Sequence, residues 1–178
     1  MLFLFTIMHP IVDACSVSVL SVGGMTWERV FMYNFFAFAM QFPFGILMDE
    51  SQSLNRYGFF FGSFLTLASV FAAILGFAGW FILASACIGN ALFHLTAGKY
   101  LLEKNNGHSG VIGLFIATGA LGLMVGQLWV FKAAQICLSV NALILALCIM
   151  SVACKEWKVS GQKMEDLCVL ARQQFGVQ

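Results

Sequence analysis

Apolar residues run along this chain in blocks close to 20 residues long, parted by short polar interruptions. A helix of about 20 residues spans the hydrocarbon core of a bilayer, so each block predicts a transmembrane helix. The blocks cover residues 2–21, 30–48, 57–76, 80–97, 111–130 and 134–154. Glycine pairs and small turns part them at Gly23-Gly24 and at Phe77-Ala78-Gly79. Thr26-Trp27-Glu28-Arg29 places an aromatic and a charge pair at the entry to the second block, as an interface favours. The pattern around residues 42–58 predicts an apolar helix stopping at Asp49, a polar crossing to Arg56 and a new helix from Tyr57. Residues 99–108 are polar enough to lie at or beyond the interface. The expected architecture is an all-α membrane protein: six transmembrane helices in residues 1–154, then a hydrophilic C-terminal tail, 155–178, with one short amphipathic face.

Composition strengthens this reading. Hydrophobic residues make up 61% of the chain and charged residues 10%, against roughly a quarter charged in a soluble domain. Such a chain lacks the residues for a polar shell. Seven basic residues (Arg56, Lys99, Lys104, Lys155, Lys158, Lys163, Arg172) fall on the side of the termini and two (Arg29, Lys132) on the other. The positive-inside rule then puts both termini in the cytoplasm, with the spans in the cell membrane. A net charge of +1 without a basic stripe argues against nucleic acid as a partner. The six cysteines show no metal-binding or redox spacing and read as small hydrophobes, and the first block reads as a retained span, not a leader. Phosphate loops, dinucleotide fingerprints, nucleophile elbows and zinc-protease motifs are missing from the sequence, so no enzyme and no cofactor are expected.

Ionisable groups inside a span cost at least about 2.5–3.5 kcal/mol and raise a functional question. Asp13 is the acid well inside a span, with His9 one helical turn before it on the same face. Asn90 and His94 repeat that spacing in the fourth block, which runs the opposite way. His9 and His94 therefore share one depth, Asp13 and Asn90 another. Two facing polar layers result, as a proton- or substrate-binding cluster or as an interhelical clasp. A metal site of His9, Asp13 and His94 is a further reading. Asn34 and Gln41 are expected to bond between helices, with Asn34 also a candidate for the cavity. Pro10 and Pro43 each remove a backbone hydrogen bond within a span. Phe35, Phe36, Phe38, Phe42 and Phe59 to Phe61 read as packing or lipid-facing groups.

Gly45, Asp49, Arg56 and Gly58 resemble the Gly-x-x-x-Asp, Arg, Gly pattern joining the second and third helices of the major facilitator superfamily. Glu50 stands where that family usually has a basic residue, and the loop is longer. Asn90, His94 and Gly98 fall in the register of its fourth-helix Arg-x-x-x-Gly-x-x-x-Gly, and Gly122 and Gly126 resemble its fifth-helix Gly-Pro-x-x-Gly without the proline. The resemblance implies the first six-helix half of a transporter. It implies a cavity lined by the first and fourth helices, and a second half supplied by another copy of the chain or another polypeptide. It also implies that Asp49 latches onto the fifth helix of the other half, which in a homodimer begins at His108, Ser109 and Gly110. Thr118, Gly122 and Gly126 place small residues every fourth position, for packing within the chain or for the dimer seam. The functional expectation is a half-size secondary transporter for a small solute, with proton coupling through Asp13 and the histidines as its extension. The alternatives are a non-transporting accessory subunit and a divalent-metal-handling membrane protein.

Overall fold

The computed structural model describes residues 2–22, 24–77 and 79–128. They form six helices: α1 (Leu2–Val22), α2 (Trp27–Ala39), α3 (Gln41–Glu50), α4 (Gln52–Ile74), α5 (Trp80–Lys104) and α6 (Ser109–Leu128). The expected sixth span, 134–154, and the tail lie outside the described residues. Helices α2 and α3 together make one span, so the described residues hold five helical segments long and apolar enough to cross a membrane.

The break between α2 and α3 has an identifiable cause. Pro43 has no N–H for the carbonyl of Ala39, and its ring crowds that carbonyl. Helix α2 accordingly ends at Ala39, while Met40 keeps right-handed helical angles and the next helix starts at once. The result is a discontinuity inside a span, not a loop.

Two boundaries differ from the sequence pattern. The polar crossing expected up to Arg56 shrinks to a single extended residue, Ser51. Its amide bonds the carbonyl of Leu47 and closes α3, and its hydroxyl accepts from the amide of Leu54 and opens α4. A serine N-cap makes a helix start here cheaper than a longer loop. At the other boundary, α5 runs on to Lys104 instead of ending near Ala97, because Leu101 is still buried in the core. Asn106 and Gly107, both with positive φ, then turn the chain toward α6.

Helix α5 is the centre of the bundle, with α4, α1, α2, α3 and α6 all packed on it. Its approach to α4 is close because both partners are glycines there. A Cβ at Gly62 would meet the backbone of Phe93, and one at Gly89 would meet Thr66. Gly58 lies on Thr96 in the same interface, and Gly45 of α3 faces Leu95. Helix α6 docks on α1 in the same manner. Gly122 sits against the backbone of Pro10 and Gly126 against Ala14. Of the two readings of this stripe, packing within the chain is the one these contacts display, with α1 on that face.

Candidate functional site

The site forms where α1, α5 and α6 meet. The four-residue spacings of His9 with Asp13 and of Asn90 with His94 hold each pair on one face of α1 and α5. Asp13 Oδ2 lies 3.2 Å from His9 Nε2, and Asp13 Oδ1 lies 3.4 Å from His94 Nε2. The two Nε2 atoms are 2.6 Å apart. Asn90 donates from Nδ2 to Asp13 Oδ1 at 3.1 Å and to Ser16 Oγ at 3.2 Å, and Ser16 in turn donates to the carbonyl of Val12. His9, Asp13 and Asn90 are buried; His94 retains 22% side-chain exposure and is the open edge of the cluster.

The other nitrogen of each ring decides the chemistry. His9 Nδ1 contacts the carbonyl of Phe115, and His94 Nδ1 lies 2.9 Å from the carbonyl of Asn90. A carbonyl oxygen only accepts, so both Nδ1 atoms carry hydrogen and donate. In a neutral imidazole with hydrogen on Nδ1, Nε2 is an acceptor. Two neutral rings would therefore aim lone pairs at each other across 2.6 Å, with a carboxylate beside them. Protonating Asp13 does not relieve this, because the short contact joins two nitrogens. One proton shared between the Nε2 atoms satisfies this contact, and at 2.6 Å no larger cation fits between them. With Asp13 ionised, one shared proton leaves the cluster electrically neutral, which offsets the cost of charge in mid-span.

The surroundings hold the cluster in place. The Phe115 ring stacks on His9 with centroids 4.1 Å apart and planes at 21°, and Phe93 closes another side at 5.9 Å. Gly119 lies directly over the carboxylate: a Cβ there would stand 2.5 Å from both Asp13 Oδ2 and His9 Nε2. Sequence reasoning missed Ser16, Phe115 and Gly119. A backbone carbonyl has no signature in sequence, but Gly119 sits beside the small-residue stripe and shares its spacing from Phe115 with every helical i, i+4 pair.

Other expected site residues lie apart. Asn34 is exposed on α2 and donates to the carbonyl of Val30 in its own helix, and among the described residues it neither joins the cluster nor ties helices together. Asp49 accepts from Lys99 Nζ at 2.8 Å. Its carboxylate thus pairs with α5 of its own chain and stays 75% exposed beside that pair. His108 is exposed, and its backbone amide bonds the carbonyl of Asn105 in the turn before α6. Arg56 is the fifth residue of α4 and opens its second turn. Among the described residues, His9, Asp13 and His94 form the one group of three side chains with metal-ligand atoms close together. Comparison of the chain with family models, with curated proteins and with solved structures finds no match.

Proposed function

We propose that this chain is one unit of a secondary transporter, with the His9–Asp13–His94 cluster as its cation-binding element. The observation that carries the reading is the convergence of two imidazole acceptors and a carboxylate inside a multi-span helical bundle. Ionisable groups at membrane depth that face the protein interior mark ion and substrate pathways. The partial exposure of His94 supports a route by which a small ion reaches the cluster. In this reading the termini are cytoplasmic and the unit resembles a major facilitator half. A second copy or a second six-helix half completes the central cavity, and one unit rocks against the other around the cluster.

The test has two readouts. The mass of the particle in nanodiscs is expected to correspond to two six-helix units. Vesicles that carry the protein and a trapped pH dye are then offered small organic cations, organic anions and divalent metals in turn. One class is expected to drive a pH change that Asp13→Asn abolishes. A folded protein that produces no such change with any class overturns the transport reading in favour of an assembly subunit.

A further inference from the structure

We infer that His9, Asp13 and His94 bind a divalent first-row transition metal of the zinc and cobalt class, and that this ion is the cluster's cargo. The inference rests on the cation-site reading above and names its ligand. Ligand type is the first argument. Two imidazole nitrogens and a carboxylate suit zinc, cobalt and their neighbours, whereas magnesium and calcium take oxygen. Among the described residues no thiol joins the convergent atoms.

Geometry is the second. Donors about 2.0–2.1 Å from a tetrahedral zinc stand about 3.3 Å from one another. The two nitrogen–carboxylate separations here are 3.2 and 3.4 Å. The nitrogen–nitrogen separation is 2.6 Å, the length of a hydrogen bond, so metal entry parts the rings by about 0.7 Å. His94, the least buried of the three, is the ring that can yield.

Third, the groups behind the ligands are already those a metal site needs. Each ring donates Nδ1–H to a backbone carbonyl, which fixes the tautomer and turns Nε2 toward the site. Asn90 holds one carboxylate oxygen from behind. Among the described residues three ligands converge, and a fourth tetrahedral position on the His94 side suits an ion that exchanges and not one locked in to stabilise the fold. Gly119 lets the α6 backbone close directly over Asp13 and His9 and hold both ligands in place.

The experiment uses the full chain, purified in mild detergent, stripped with chelator and titrated with Co2+, then with Zn2+ as competitor. The expected result is the intense visible absorption of tetrahedral cobalt at one ion per protomer, displaced by zinc. His94→Gln and Asp13→Asn should each weaken binding more than about 100-fold, and Asn90→Ala by about 10–100-fold as a loss behind the ligands. Ser85→Ala, remote from the cluster and bonded within its own helix, should bind as the parent does. Absence of cobalt absorption, or binding that His94→Gln leaves unchanged, overturns the metal site. Should His94→Gln fail to stay monodisperse, Asp13→Asn alone decides. Metal binding without uptake into vesicles removes the cargo role and the transport reading but keeps the site. Proton-linked uptake of another solute with no metal bound removes the site and keeps the transporter.

Discussion

Two spans of this protein are equally apolar on average, yet they stand in opposite surroundings. The window at residues 5–22 of α1 is 67% buried within the protein, and the span made by α2 and α3 is 11% buried. Helix α1 presents Ser16, Ser18, Asp13 and His9 to its neighbours, all of them buried. The α2–α3 span turns Phe31, Phe35, Phe38 and Phe42 outward, each more than half exposed. Lipid tails are as apolar as leucine, so apolarity drives a segment into the bilayer without choosing its helical neighbours. Small and polar residues make that choice, because they allow close approach and have hydrogen bonds to satisfy. The difference between the two spans lies in side-chain size and polarity, not in mean hydropathy.

The largest effect expected from breaking this contrast is on the polar side. Asp13→Ala leaves two imidazoles and Asn90 without their common acceptor, and should cost about 3–5 kcal/mol of stability. Reversible unfolding in mixed detergent micelles measures it. Gly122→Val, which drives a side chain into the Pro10 backbone, should cost about 1–3 kcal/mol and loosen α6 from α1. Asn90→Ala should fall in a similar range, about 1–3 kcal/mol, from the carboxylate and Ser16 left short of a donor. Lys99→Ala tests the exposed Asp49 pair and should cost at most about 1 kcal/mol. Phe38→Leu on the outward face should change stability by less than about 0.5 kcal/mol. If Phe38→Leu costs as much as Asn90→Ala, the outward face is a packed protein interface and the contrast between the spans collapses.

The His9–Asp13 and Asn90–His94 pairs were legible before any coordinates, because helical periodicity places residues four apart on one face. Their common depth followed from the opposite directions of the first and fourth blocks. Asn34 looked equivalent, being another amide in a span, and was not. One of its amide hydrogens bonds Val30 one turn away, and among the described residues it makes no bond to another helix. The single-residue junction at Ser51 was also out of reach, since Gln52 to Asn55 are polar enough for a loop and tolerable in a first helical turn.

By itself, the order of residues determined the number and length of the apolar blocks and the four polar side chains that need partners inside the bundle. These follow from hydrophobic transfer and from the cost of unpaired polar groups, both local properties of the chain, whereas of two prolines within spans only Pro43 accompanies a break. Tertiary structure alone decided which helix supplies each partner. It turned both Nδ1 atoms onto carbonyls, one of them on α6, and so left two Nε2 lone pairs and a carboxylate aimed at a single point. Such a convergence depends on the rotation and depth of three helices at once, to within a fraction of an ångström. No spacing along one helix encodes that.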